Sequence, residues 1–416
     1  MKGLLSIKSY RHLFFGQFFS DFGAFLDIIA INILISYIWG LGPAYNAALL
    51  VVFSLPVVFI GPIMAVWVDR LPKKAVMLTC DIVRSVIALS LVWVGNVYVL
   101  FVLVFFKVLF GAMFDPARQS TIRYTVPENY LLQASTMSQI MTNFVKIVAP
   151  AAGSALLLFM NPSSLFIFES AGFLISAIFI FGIPAFDEKR SKIQSSRNSF
   201  FQEFKEGFGY IRSNSILSFS IFFLSAGMFI VFLQEALITP WAKMMGFGKA
   251  EFGLIVSASG LGMVVGAVAL GKWTFWDKNP MKIMLFSGFF TGFFVCLFGL
   301  GVINLILLPK IMWVSIFFLT GIISSGAYVP FGYILQKETL PEVMGRVSGA
   351  SNSIINLSVF LGPMAGGVLA ASFSMSFVFI ASGLLLTTYA IIVYFYIQRN
   401  PERFKREVSV MEKATI

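Results

Sequence analysis

Eight ionisable residues interrupt stretches that are otherwise hydrocarbon: Asp21, Asp27, Asp81, Arg84, Lys107, Lys146, Glu169 and Glu235. A charged side chain at the middle of a bilayer costs about 2.5–3.5 kcal/mol even on a lenient insertion scale, so such groups are retained for pairing, for proton movement or for recognition of a charged ligand. Asp27 falls near the midpoint of the first long apolar run. Burial there suits a carboxylate that gains and loses a proton, and Asp21, about a turn and a half nearer the N-terminal end, is a second candidate. Asp81 and Arg84 are three residues apart, the spacing of neighbours on one helical face, and read as a structural ion pair. Lys107 has no partner assignable from sequence and could attract an anionic substrate. Glu169 and Glu235 fall near the ends of their apolar runs, where solvated carboxylates are common; Glu235 is kept as a candidate lining a vestibule. Seven of the eight lie in the first half of the chain, which assigns charge handling to that half and apolar, aromatic wall to the other.

These groups need long membrane-crossing elements to hold them. Of the 416 residues 58% are apolar and 12% charged, and the mean hydropathy is +0.88, far from the usage of water-soluble domains. Apolar runs of bilayer-spanning length recur along the whole chain. They predict twelve spans at approximately 13–38, 44–68, 75–95, 97–114, 132–159, 164–186, 214–239, 251–273, 282–304, 310–335, 347–371 and 375–398. The first run is too long for a signal peptide and carries no small-residue cleavage site, so it reads as the first membrane helix. Twenty-four of the thirty Lys and Arg residues fall on one side of this topology, three on the other and three within spans. That bias places both termini in the cytoplasm and makes the net charge of +11 a report of topology, not of a nucleic-acid partner. Cys80 and Cys296 fall inside predicted helices, against a disulfide or a metal cluster. The single histidine, His12, reads as an ordinary interfacial residue.

The chain also repeats itself. "RYTVPENYLLQASTMSQIMTNFVKIVAPAAG" from Arg123 aligns with "KETLPEVMGRVSGASNSIINLSVFLGPMAGG" from Lys337: Thr125, Pro127 and Glu128 match Thr339, Pro341 and Glu342, and after a one-residue gap Asn143, Pro150 and Gly153 match Asn356, Pro363 and Gly366. Each copy is a polar cytoplasmic loop feeding a long helix, before spans 5 and 11, in equivalent places of two six-helix halves. Between the halves, "FFQEFKEGFGYI" puts Phe200, Phe201, Phe204, Phe208 and Ile211 on one face, as an amphipathic helix on the inner membrane surface would. The expected fold is an all-α membrane protein of twelve transmembrane helices in two pseudo-symmetric bundles. Its parts are an N-terminal bundle 1–186, a cytoplasmic linker 187–213, a C-terminal bundle 214–398 and a basic cytoplasmic tail 399–416.

Two six-helix halves joined by a central linker resemble the plan of major facilitator transporters. "GPIMAVWVDRLPKKAVML", Gly61 to Leu78, resembles that superfamily's signature between helices 2 and 3, with Asp69, Arg70, Lys73 and Lys74 in place. "GQFFSDFG" at Gly16–Gly23, "CDIVRS" at Cys80–Ser85 and "FDPARQS" at Phe114–Ser120 are similar to the branch containing macrolide-efflux pumps and catecholate-siderophore (enterobactin) exporters. "APAAG" at Ala149–Gly153 and "GPMAGG" at Gly362–Gly367 resemble the Gly-Pro-rich motif associated with export by antiport. The resemblance implies a cytoplasmic latch: Asp69 at a helix end, Arg70 pairing with an acid such as Asp115, and Arg118 as a partner for Asp69. It implies that helices 1 and 5 are neighbours, which makes Lys146 the expected ion-pair partner of Asp27.

The function expected on these grounds is a secondary exporter of an amphipathic small molecule, such as a drug or siderophore, driven by proton antiport and working by alternating access. The expected setting is a bacterial inner membrane with lipid around a monomer. An uncoupled or import-direction permease and a lipid flippase are the alternatives. No Walker loop, zinc signature or nucleophile elbow is present, so the sequence names no enzyme activity, no cofactor, no metal and no direct use of ATP.

Overall fold

The computed structural model describes residues 4–68, 70–127, 130–157, 159–184, 200–340 and 343–400; the side chains of a number of further helical residues, many of them between 132 and 154 and Lys146 among them, lie outside that description. Among the described residues every regular element is helical, the expected outcome where a bilayer leaves no water to satisfy an exposed backbone. Ten helical stretches among the described residues are long and apolar enough to cross a membrane, so the protein is a multi-pass membrane protein. Two more helices, Lys73–Leu91 and Leu131–Leu156, occupy the places of the third and fifth predicted spans. The first carries Lys73, Lys74, Asp81 and Arg84, and the second is thinned by Gln133, Gln139 and Asn143, which keeps both out of the strongly apolar set.

The chain divides into two compact units, one of residues 1–196 with 236–260 and one of residues 197–235 with 261–416. The first unit contains α1 (Lys8–Ile33), α2 (Pro43–Leu55), α3 (Gly61–Val68), α4 (Lys73–Leu91), α5 (Val97–Thr125), α6 (Leu131–Leu156) and α7 (Leu165–Phe181). Two π-helical turns, Leu34–Ile38 and Pro56–Ile60, extend α1 and join α2 to α3. α5 was expected to end with its apolar run at Phe114, but it continues through Asp115, Pro116 and Arg118 to Thr125. The polar "FDPARQS" stretch is therefore the last turns of a helix, not a loop.

The second unit holds α8 (Phe200–Ser213), α9 (Ser215–Glu235), α12 (Pro280–Val302), α13 (Lys310–Lys337), α14 (Met344–Ser372) and α15 (Met375–Arg399). Between α9 and α12 run α10 (Ile238–Met244), which belongs to the first unit, and α11 (Lys249–Lys272), whose residues from Leu261 onward belong to the second. In the first unit Thr239 of α10 donates to Asn32 Oδ1 (3.3 Å) and Lys243 Nζ to the carbonyl of Ser36 (2.6 Å), beside Asn46, which donates to Asn32 Oδ1 and accepts from Ser36.

In the second unit α8 is tied to the corner between α13 and α14. Glu206 and Arg346 form an ion pair at 2.8 Å; Tyr210 Oη donates to the carbonyl of Glu338 and accepts from the backbone of Leu340. Gly207 sits so close to the carbonyl of Arg346 that a Cβ would overlap it. Ile211 turns into the core of this unit while Phe208 stays exposed, so part of the amphipathic face is spent on protein packing.

Candidate functional site

Three helices of the first unit converge on Lys107. Its ammonium, from α5, is hydrogen-bonded to Asp27 Oδ2 of α1 and lies 2.8 Å from Glu169 Oε1 of α7. Asp27 and Glu169 are fully buried and Lys107 is 3% exposed. Asp27 Oδ1 and Glu169 Oε2 have no hydrogen-bond partner among the described residues. With all three ionised the cluster carries a net charge of −1 in a place where an uncompensated charge is costly. One proton on either carboxylate neutralises it.

Glycine creates this meeting. At Gly23 of α1 a Cβ would stand 3.0 Å from the carbonyl oxygen of Glu169, and at Gly172 of α7 it would stand 2.9 Å from that of Phe19. Lacking side chains there, the two backbones approach closely, as small residues permit between membrane helices. Glu169 is thereby drawn into the bundle. Its expected place was a solvated helix end; close α1–α7 packing overrides its position in the sequence. The ammonium on Asp27 likewise belongs to Lys107, to which the sequence assigns no partner; the side chain of Lys146, the partner implied by helix adjacency, is outside the described residues.

A second polar layer lies nearer the start of α1. Ser20 Oγ donates to Asp81 Oδ1 (3.1 Å) while accepting from Arg84 Nη1 (3.0 Å), and Ser176 donates to Asp81 Oδ2 (2.5 Å). Asp81 and Arg84 are 3.5 Å apart, and the Arg84 guanidinium lies over the Phe173 ring at 4.0 Å from its centroid. This is a cation–π contact in a buried setting.

The third layer surrounds Asp21. Its Oδ2 accepts from Thr142 (2.9 Å) and Gln17 (3.2 Å). Gln17 also bonds Ser138 and Thr142, and Ser138 accepts from Arg118. Arg118 lies 3.0 Å from Asp115, so the two residues considered as latch partners for Asp69 and Arg70 bind each other. Asp69 is outside the described residues, and Arg70 is exposed. Lys74, from the same loop signature, donates to the carbonyls of Phe181 (2.8 Å) and Ile183 (2.7 Å), capping the C-terminal end of α7. Glu235 ends α9 in the second unit, on the same helical face as Ser225 and Met228, with the Tyr328 hydroxyl on Met228 Sδ at 3.3 Å.

A bundle of apolar helices holding stacked, buried ionisable layers is the build of a membrane transporter. The family model of the Major Facilitator Superfamily matches residues 13–363 and again 296–414. The chain belongs to that superfamily. Among curated relatives it is 27% identical to an uncharacterized MFS-type transporter, YfiS, of Bacillus subtilis, over 92% of this chain and 91% of the relative. It is 27% identical to the putative bacilysin exporter BacE of Bacillus amyloliquefaciens, over 91% and 93%, and 24% identical to macrolide efflux protein A of Streptococcus pyogenes, over 81% and 84%. The solved nucleoside transporter NupG shares the fold, with a TM-score of 0.70 over 96% of this chain and all of that one at 15% identity.

Proposed function

We propose that this protein is a secondary exporter that moves an amphipathic small molecule out of the cell in exchange for protons, with the Asp27–Lys107–Glu169 cluster as the proton-binding site. The observation that carries the reading is the charge count of that cluster: two buried carboxylates share one buried ammonium, so a single proton sets the charge of the site. A proton crossing 100 mV releases about 2.3 kcal/mol, enough to sustain a useful gradient. A putative bacilysin exporter and a macrolide efflux protein among the relatives support the outward direction and a drug-like cargo. In this reading both termini face the cytoplasm of a cell whose inner membrane holds the protein. Asp21, Lys146 and Glu235 remain candidates for substrate contact, and Asp69, Arg70, Asp115 and Arg118 for the cytoplasmic latch. Transport proceeds by alternating access.

The test is uptake into inside-out vesicles of a panel of macrolides, lipophilic cations and catecholate siderophores, with wild type compared against Asp27→Asn. Asp27→Asn leaves Lys107 paired one-to-one with Glu169, so the protein should fold. Protonophore-sensitive uptake in wild type, lost in the variant together with its dependence on the pH gradient, is the expected result. Undiminished gradient-driven uptake in Asp27→Asn and in Glu169→Gln would remove the cluster from the coupling mechanism.

A further inference from the structure

α11, α12 and α13 of the second unit enclose a groove of 240 Å³ whose walls are hydrocarbon and aromatic: Trp273, Phe275, Ile283, Phe286 and Phe290 contribute most of the large side chains. Its floor is made of small residues at which the helices pack closely. Gly266 lies against Ile322 and Ser325, and a Cβ at Gly326 would stand 3.3 Å from both Ile283 and Ser287. The two hydroxyls in the lining are already spent: Ser287 Oγ donates to the carbonyl of Ile323 and Ser325 Oγ to that of Ile322, each at 2.7 Å. A ligand entering the groove therefore finds hydrocarbon and no free hydroxyl donor. That chemistry suits an acyl chain.

The mouth differs from the floor. The connection from α11 to α12 reads "KWTFWDKNPMK", with Lys272, Lys278 and Lys282 exposed and Asp277 as its one acid. Lys282 is four and eight residues ahead of Phe286 and Phe290, one helical face running from the basic mouth down the aromatic wall. Trp276 is buried, its indole N–H held by the carbonyl of Leu270 at 2.8 Å and its ring edge-on to Tyr333. That anchor leaves Trp273 and Phe275 turned outward at 68% and 72% exposure. Exposed Trp at the end of a membrane helix marks the headgroup level, so the lysines stand where a lipid phosphate lies and the groove where its chain lies.

We propose that this groove is a binding site for an anionic phospholipid, with one acyl chain between α11, α12 and α13 and the phosphate at Lys272, Lys278 and Lys282. Basic clusters at the membrane surface between helices select acidic headgroups, while the apolar floor explains why the ligand is a lipid and not a free anion.

Native mass spectrometry of the purified full-length protein, equilibrated with an equimolar mixture of phosphatidylglycerol and phosphatidylcholine, tests this. Wild type should retain phosphatidylglycerol about tenfold over phosphatidylcholine. The triple change Lys272→Gln, Lys278→Gln, Lys282→Gln should abolish the preference, and the corresponding Lys→Arg triple should keep it. A phosphatidylglycerol with a photoactivatable acyl chain should crosslink within residues 266–290 or 322–326, the stretches that line the groove. Equal retention of the two lipids by wild type, a preference that survives the Gln triple, or crosslinks confined elsewhere would each overturn the proposal.

Discussion

Lys107 Nζ lies 2.8 Å from Glu169 Oε1 while also holding Asp27 Oδ2, so one ammonium from α5 serves carboxylates on two other helices. The pairing ties three segments 80 and 62 residues apart in sequence into one electrostatic unit. Removing its centre leaves two buried acids without the ammonium they share. Lys107→Met should cost about 3–5 kcal/mol, the usual penalty for breaking a buried pair from one side. Adding Asp27→Asn and Glu169→Gln should restore most of that loss. Thermal unfolding in detergent, followed by the monodisperse fraction remaining, reads both effects, and a triple variant no more stable than Lys107→Met would show that charge is not the cause.

The α1–α7 seam makes a steric prediction. Gly172→Leu must displace the carbonyl of Phe19, which a Cβ would already approach to 2.9 Å, so overpacking should cost about 1–3 kcal/mol or more and pull Glu169 away from Asp27. Gly95→Ala, where a Cβ meets nothing within 4 Å, is the control and should leave the melting temperature in place.

Arg84 should not be replaceable by lysine. It spreads its guanidinium over Phe173 at 4.0 Å while bonding Ser20, a planar, two-sided engagement that a point-like ammonium does not reproduce. Arg84→Lys should cost up to about 2 kcal/mol, the scale of a desolvated cation–π contact. Equal melting of Arg84→Lys and wild type would show that Asp81 needs only a positive charge.

The α8 corner separates packing from charge. Glu206 and Arg346 are each more than a third exposed, so a double-mutant cycle on the pair should return less than about 1 kcal/mol. Gly207→Leu, which would drive a side chain into the Arg346 carbonyl, should cost more than deleting either charge. The order of melting temperatures decides between the two.

Long apolar runs made the helices legible, because membrane spans announce themselves by composition and need no tertiary context. The ends were less so: the "FDPARQS" stretch reads as a loop by polarity, yet α5 carries it as helix to Thr125. Charge along a single segment could suggest that Asp27 mattered and that Asp81 and Arg84 were near each other. It could not bring Glu169 inward, because that depends on Gly23 and Gly172 meeting across two helices. The available signal was the small residue on each helix close to the acid, Gly23 four positions before Asp27 and Gly172 three after Glu169. In the sequence Lys74 belongs to a charged signature, and its capping of α7 depends on which helix ends beside it.

The order of the cluster along the chain has a consequence for how the protein is made. Asp27 leaves the ribosome first, Lys107 second and Glu169 last. A nascent bundle that has inserted through α5 already contains an opposed acid and ammonium, each able to offset the other's cost of leaving water. α7 then brings its carboxylate to a position where the positive charge is waiting. Lys107 is therefore engaged twice during biogenesis, by a helix already in the membrane and by one still arriving, and a ribosome stalled between α5 and α7 would hold the Asp27–Lys107 pair balanced and the cluster not yet complete.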